Sequence, residues 1–449
     1  MSDQKIRTEL NSLPIQELID SQRQSGRVNL DPDFKKFWKA KHDYAIELLE
    51  DERRGRHVRR LAELLRDITY SIHARETDPV LTYYPYTDVQ IIDWFIGPTH
   101  VPFTVLKRRA LDGIFCLLHD LLQFEANSLG GFDVRHHEKL SKEVLHERID
   151  KIERAVLACV ALFAQVVGSR PSRPPELIHY DTLEQYVGER SGRSALIHFS
   201  CFPQSKYHDE VVFLRTIHIA ELCFFGLRTI IIETIENLRR QCFPAATKCL
   251  NEAIGFAELL HRTFGVLRTM PPDHFADFRD YTENASAIQS RGYQLLDVYF
   301  RGVDQHKLRV YKERRHLAFL EKYAHPSFVH LRSLLRQDGT SRSEDWQKVM
   351  TAAQQLDAKL KTWRGLHVGF ALAYLPPAVS GTGGTVGAPY LKQFLHEGLF
   401  SETAIDEEIL KEMFPDIPEL PGECRVPSDQ GVAPVEELRY PGESQQPTP

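Results

Sequence analysis

The chain has 449 residues, 42% of them hydrophobic and 26% charged, which is ordinary for a globular protein and enough for a large core. Its formal net charge is −6, but the last 34 residues hold seven carboxylates against two arginines and supply −5 of it. A nearly neutral body lacks the electrostatic footprint of a nucleic-acid binder, and no uncharged run is long enough to span a bilayer.

Residues 1–30 are polar and are expected to be loose. From Phe34 to Leu65 apolar residues such as Phe37, Trp38, Tyr44 and Leu48 recur at helical spacing. Arg53, Arg54, Arg56, Arg59 and Arg60 punctuate that stretch; with Asp51, Glu52 and Glu63 among them they read as a solvated face rather than an anion site. Leu81–Thr87 is aromatic and is expected to be extended. Helices are expected over 104–127 and 140–167, separated by Gly130-Gly131. His136, His137, Glu138 and His146 invite a metal reading, but no cysteine or carboxylate stands at closed-site spacing.

Gly168–Pro175 holds three prolines in eight residues and marks a boundary. The expected organisation is an N-terminal mainly helical region over 1–170, a helical domain over 171–414 and a disordered, acidic, proline-rich tail over 415–449. Past the boundary, Asp209 is expected to cap a long helix to about Leu238, followed by helices over 245–270, 289–299, 305–336, 343–375 and 388–399. Alternating strand patterns are nearly absent, so the fold class is all-α. Seven dispersed cysteines without a CxxC pair fit reduced, buried thiols. The N-terminus lacks the apolar segment of a secretory signal, and the expected location is cytoplasmic.

Two stretches carry possible chemistry. His367 lies four residues after Trp363, on the same face of an apolar helix. A lone core histidine is the plain reading; a neutral imidazole on a rigid helix is also the usual axial ligand of haem iron. After Pro376-Pro377 comes Ser380-Gly-Thr-Gly-Gly-Thr-Val-Gly387, a flexible turn, an anion cradle or a flap over a small polar ligand. No Gly-Lys-Ser/Thr follows and no strand precedes it, which excludes a P-loop. Arg279, in Phe275–Arg279, is either a surface snorkel or a fork for a carboxylate. GxSxG, HExxH and kinase signatures are absent.

In order along the chain, His208-Asp209-Glu210 with Phe213 and Glu221-Leu222, Leu267–Arg279 with Ala285–Ser290, Trp363-Arg364 with His367, and Gly381–Thr385 resemble the blocks of the tryptophan 2,3-dioxygenase and indoleamine 2,3-dioxygenase superfamily of haem enzymes. Tyr180–Leu183 is similar to an opening tyrosine-rich element of that family, and the resemblance spans roughly 178–400. It implies a helical-bundle haem domain with His367 as proximal ligand to haem b, and O2 as co-substrate. It further implies that Phe213 lines the distal pocket, that Arg279 pairs with a substrate carboxylate, and that Phe275, Thr382, Gly383 and Tyr180 contact the substrate. Where the tryptophan enzymes place a distal histidine, this chain has Ile217, with His218 one step and about 100° further round the helix. Phe275 stands where a tyrosine is usual, and Ala287-Ile288 replaces Gly-Phe.

The activity the resemblance implies is dioxygenation of tryptophan or a related indole amino acid across the C2–C3 bond. Hydroxylation or rearrangement of a modified tryptophan or tyrosine, and a catalytically silent haem or ligand binder, are the alternatives. The implied partners are a small aromatic amino acid, no nucleic acid and no membrane; self-association as a homo-oligomer is left open.

Overall fold

The computed structural model describes residues 1–77, 83–132, 140–171, 178–188, 192–283, 285–303, 307–308, 311–312, 315–336, 343–374 and 398–401. Among them sixteen α-helices and no β-strand are formed, so the all-α expectation is borne out. The first eight helices are α1 (Asp3–Asn11), α2 (Ile15–Ser25), α3 (Pro32–Glu50), α4 (Arg56–Thr77), α5 (Tyr83–Thr87), α6 (Val89–Ile96), α7 (Phe103–Leu129) and α8 (Lys142–Val167). Then follow α9 (Leu183–Val187), α10 (Gly192–Ser200), α11 (His208–Arg239), α12 (Phe243–Leu267), α13 (Pro272–Arg279), α14 (Arg291–Arg301), α15 (Leu331–Leu335) and α16 (Glu344–Tyr374).

Residues 1–30, expected to be loose, instead form α1 and α2, which bury Ile6, Leu10, Leu18 and Ile19 in the core. Local chemistry explains many of the boundaries. Asp31 caps α3 by accepting from the N–H groups of Asp33 and Phe34, with Pro32 in the first turn; Ser141 caps α8 and Gly168, at φ +76°, ends it. The single helix expected over 34–65 is two. Asp51 closes α3 and turns back to accept from the Arg53 backbone and side chain, while the Gly55 N–H donates to Asp3. The exposed Arg53 thus belongs to a solvated ion pair with Asp51. The helix expected over 305–336 also divides, into a 3-10 segment at Arg315–Ala324 and α15, with Pro326 between them. Residues 83–87 are helical and wholly buried rather than extended. The Arg27 guanidinium donates to the carbonyls of Pro85 and Tyr86 and pairs with Asp88, so a buried charge is satisfied by the ends of this short helix.

α12 is the central packing element: it lies against α8, α11 and α16, while α7 packs against α8 and α11. Helices from before and after residue 171 share one hydrophobic core, which runs from Ile6 and Trp38 through Leu118 to Phe256 and Leu356. α11 and α12 are in tight contact at Gly226, where an added Cβ would fall 2.3 Å from the ring of the fully buried Phe256. No helix among the described residues is long and apolar enough to cross a membrane.

A side chain at that crossing must displace Phe256 or separate the helices. Gly226→Val is expected to lower stability by about 1–3 kcal/mol. The check is the urea unfolding midpoint, and an unchanged midpoint would mean that the two helices are not in contact there.

Candidate functional site

The N-terminal turn of α11 anchors the region. Asp209, expected to cap the helix, instead lies inside its first turn and forms buried ion pairs. Its carboxylate accepts from Arg148 at 2.7 Å and from the Nδ1–H of His274 at 2.6 Å; Arg148 also donates to Glu125 at 3.0 Å and Thr269 at 2.8 Å. Burial pushes the Asp209 carboxyl up, but the Arg148 charge and the hydrogen bonds from His274 and Arg148 outweigh it and hold the pKa at about 2. Glu210 accepts from the backbone N–H groups of Gln204 and Ser205, closing the loop that precedes α11. The His-Asp-Glu motif therefore joins α7, α8, α13 and the 203–205 loop to one helix end.

Between His208 and Ile231 every residue of α11 is buried except two, Phe213 and Ile217. They stand one turn apart on one face. Phe213 lies 5.9 Å from Phe275 and 5.6 Å from Phe278, both on α13, between ring centroids. Phe275 in turn meets Phe370 at 5.8 Å and Tyr374 at 5.6 Å on α16. About three turns further along α11, Phe224 meets Trp363 of α16 at 5.5 Å. The two helices thus run antiparallel and are bracketed by aromatic contacts at both ends. The stretch of α11 that carries Ile217 faces the stretch of α16 that carries His367.

His367 belongs to the α16 stripe Trp363, His367, Phe370, Tyr374, spaced four, three and four residues apart. Its ring touches Phe264 of α12 at 5.6 Å and Trp363 at 6.0 Å. It forms no hydrogen bond among the described residues and keeps part of its surface accessible. Burial alone pushes its pKa down from 6.5 to about 4. An accessible, unpartnered imidazole in dense apolar surroundings is neutral at physiological pH and offers a nitrogen lone pair to a metal. Among the described residues no group of three or more His, Cys, Asp or Glu side chains is arranged to hold a metal ion. The aromatic brackets and the single imidazole suit a flat macrocycle with one axial protein ligand.

The other expected site residues divide. Arg279, half-buried, ends the helix that carries Phe275, one turn beyond it on the same face. His218 is not placed with Phe213. It is fully buried, its Nε2–H donates to the Thr87 carbonyl, and its Nδ1 accepts from Arg215 at 3.5 Å. Rotation by one residue turns its ring to the end of α5. Tyr180 also stands apart: its backbone N–H donates to the Tyr186 hydroxyl and its ring packs edge-on to Tyr186 at 5.0 Å. Thr382, Gly383 and the 381–385 loop lie outside the described residues, as do His136, His137 and Glu138. Phe370 and Tyr374 were not singled out from the sequence, although their i+3 and i+7 spacing from His367 was a signal that could have found them; Phe264, Arg148 and His274 carried no comparable signal.

Residues 183–332 match the sequence profile of the tryptophan 2,3-dioxygenase family. That stretch contains Phe213, Ile217, Phe275 and Arg279; His367 lies beyond it. Among curated relatives, a tryptophan 2,3-dioxygenase of Ruegeria pomeroyi is 25% identical, over 44% of this chain and 84% of the relative. Those of Bacillus cereus and Burkholderia ambifaria are 22% and 26% identical, over 44% of this chain and 83% and 76% of theirs. The chain is thus related to the tryptophan 2,3-dioxygenases, and the superfamily resemblance read from its motifs is borne out.

The depressed pKa of His367 has a defined sign. Between about pH 4 and 6.5 the unfolded chain binds a proton that the folded chain refuses. The contribution of this residue to stability is complete above 6.5 and is lost as the pH falls towards 4. In the haem-free protein, NMR titration should find the His367 ring neutral down to about pH 4; protonation near 6.5 would contradict its enclosure.

Proposed function

We propose that this protein is a haem-dependent dioxygenase acting on tryptophan or a related indole amino acid, cleaving the C2–C3 bond to an N-formylkynurenine-type product. The observation that carries the reading is the partly exposed His367 on α16, which has no hydrogen-bond partner among the described residues and lies between the aromatic contacts Phe213–Phe275–Phe370 at one end and Phe224–Trp363 at the other. Haem b held through His367 would supply the activation of dioxygen.

The chain's share of the work is positioning and exclusion of water. Phe213, Ile217 and Phe275 form an apolar wall opposite the ligand helix, and they leave the aromatic ring of the substrate in a dry environment. Arg279, at the mouth of α13, presents a planar fork suited to an amino-acid carboxylate. Thr382 and Gly383 are assigned to the head group on the family resemblance alone. Phe213, Ile217 and Phe275 carry no ionisable group, and both nitrogens of His218 are engaged. This reading assigns no general base to these residues. The proposed compartment is the cytoplasm, in keeping with six described cysteines that are all free thiols, five of them buried.

The apolar wall favours one variant of this reading, in which a ring-substituted tryptophan or tyrosine is hydroxylated instead of cleaved. The deciding assay supplies haem-loaded, ascorbate-reduced protein with O2 and tryptophan. A kynurenine chromophore supports dioxygenation, a hydroxylated amino acid supports the variant, and no turnover of any indole or phenol amino acid overturns both. Within that assay Arg279→Gln should lower kcat/KM by roughly 10- to 100-fold, the worth of a charged hydrogen-bonded contact of about 1.5–3 kcal/mol. An unchanged kcat/KM would remove Arg279 from the site.

A further inference from the structure

Beside Ile217 the wall of the site is not built by the stretch that matches the dioxygenase family. Ile217 packs against a small cluster of Tyr83, Tyr84 and Val89, with Tyr70 at its edge, all from the first hundred residues of the chain. Three independent contacts hold α5 in that place. The Tyr83 hydroxyl donates to Glu221 of α11 at 2.8 Å, and the same carboxylate oxygen accepts from Ser290 at 2.5 Å. His218 donates to the carbonyl of Thr87 at the other end of α5. Arg27 gathers the carbonyls of Pro85 and Tyr86, together with Phe202 at 2.5 Å, and pairs with Asp88 at 3.0 Å. Tyr84 is held from its far side, where its hydroxyl accepts from the Arg291 N–H at 2.9 Å and the Arg291 guanidinium lies 4.7 Å from its ring.

Resting on the indole-oxidising reading above, we infer that Tyr83 and Tyr84 of α5 complete the site wall beside Ile217 and set the room available to the substrate's ring, and that Glu221 and His218 are the positioning residues that hold them there. The arrangement gives His218 a purpose that its sequence position obscured. One step round the helix from the pocket face, it clamps the element that forms the wall. It also fixes the chemistry of the wall. The Tyr83 hydroxyl is committed to Glu221, so the tyrosine meets its neighbours through its ring, and with Ile217 it presents hydrocarbon. The wall therefore discriminates by volume, selecting among indole rings by their substituents rather than by hydrogen bonding. Discrimination of that kind is worth about 10- to 200-fold for each methylene-sized change.

The test measures binding of L-tryptophan and of 5-, 6- and 7-methyl-L-tryptophan to the haem-loaded protein, by calorimetry, alongside kcat/KM where turnover is seen. Ile217→Ala and Tyr83→Ala should each shift the preference towards at least one methylated ring by about tenfold or more relative to wild type. Tyr83→Phe retains the ring but loses the bond to Glu221, so it should shift the preference in the same sense as Glu221→Leu and by less than Tyr83→Ala. Glu221→Leu should shift it in the same sense as Tyr83→Ala, whereas Glu221→Gln, which keeps an acceptor for Tyr83, should restore it; a merely structural glutamate would alter stability without moving this ratio. Ile217→Val, which removes one methylene, keeps the experiment available if the alanine variants do not fold, and should shift the preference in the same direction. If wild-type protein binds none of the four amino acids, the indole reading itself fails, and this inference with it. If wild type binds them but the preference is the same in Ile217→Ala, Ile217→Val and Tyr83→Ala, the wall assignment alone is overturned.

Discussion

A guanidinium with no exposed surface, that of Arg148, sits between Glu125 and Asp209, and the architecture of the site depends on it. Removing two carboxylates and an arginine from water costs several kcal/mol for each ion, and the cost is offset only where geometry and further hydrogen bonds are good. Here Thr269, His208 and His274 supply them. Because these partners come from α7, α8, α11, the end of α12 and α13, satisfying one charge requires five helix segments to be in register. Asp209 opens the helix that carries Phe213 and Ile217, and His274 immediately precedes Phe275. The ion cluster is thus a positional constraint more than a source of stability.

From that constraint the aromatic contacts follow. With α13 held against the start of α11, Phe275 lies between Phe213 and the pair Phe370 and Tyr374, which stack 4.0 Å apart on α16. The opposite end is closed by the edge contacts of Trp363 with Phe224 and Phe264. α12 packs against both α11 and α16, so these two helices are joined through it and through aromatic ends rather than along their length. Large side chains meet at the two ends, and a partly exposed histidine and isoleucine stand in the middle. Beside the isoleucine lies α5, which Arg27 and Glu221 bind to the rest.

Much of this was legible in the sequence where periodicity and local chemistry decide structure. The long amphipathic helices, the helix end at Gly168, the pairing of Trp363 with His367 on one face and the adjacency of Phe275 and Arg279 all follow from spacing. Three features were not legible, for physical reasons. Asp209 has the residue type and position of a cap, but a buried arginine more than sixty residues earlier outbids the backbone for its carboxylate. Tyr83–Thr87 has the composition of a strand, yet adopts a helix because Arg27, far off in the chain, takes its carbonyls. His218 looked like a displaced catalytic residue, and only the fold shows that its ring reaches the end of α5. In each case a long-range polar contact overrode a local preference, and single-sequence reasoning has no access to such contacts.

The account rests on His367 as the ligand that joins this site to haem chemistry. The most direct test is a haem titration of the purified protein followed by absorption, comparing wild type with His367→Ala, without and with added imidazole. A saturable Soret band in wild type, lost in His367→Ala and recovered by imidazole, is the predicted result. A wild-type protein that takes up no haem, or a His367→Ala protein whose spectrum is indistinguishable from wild type, would contradict it.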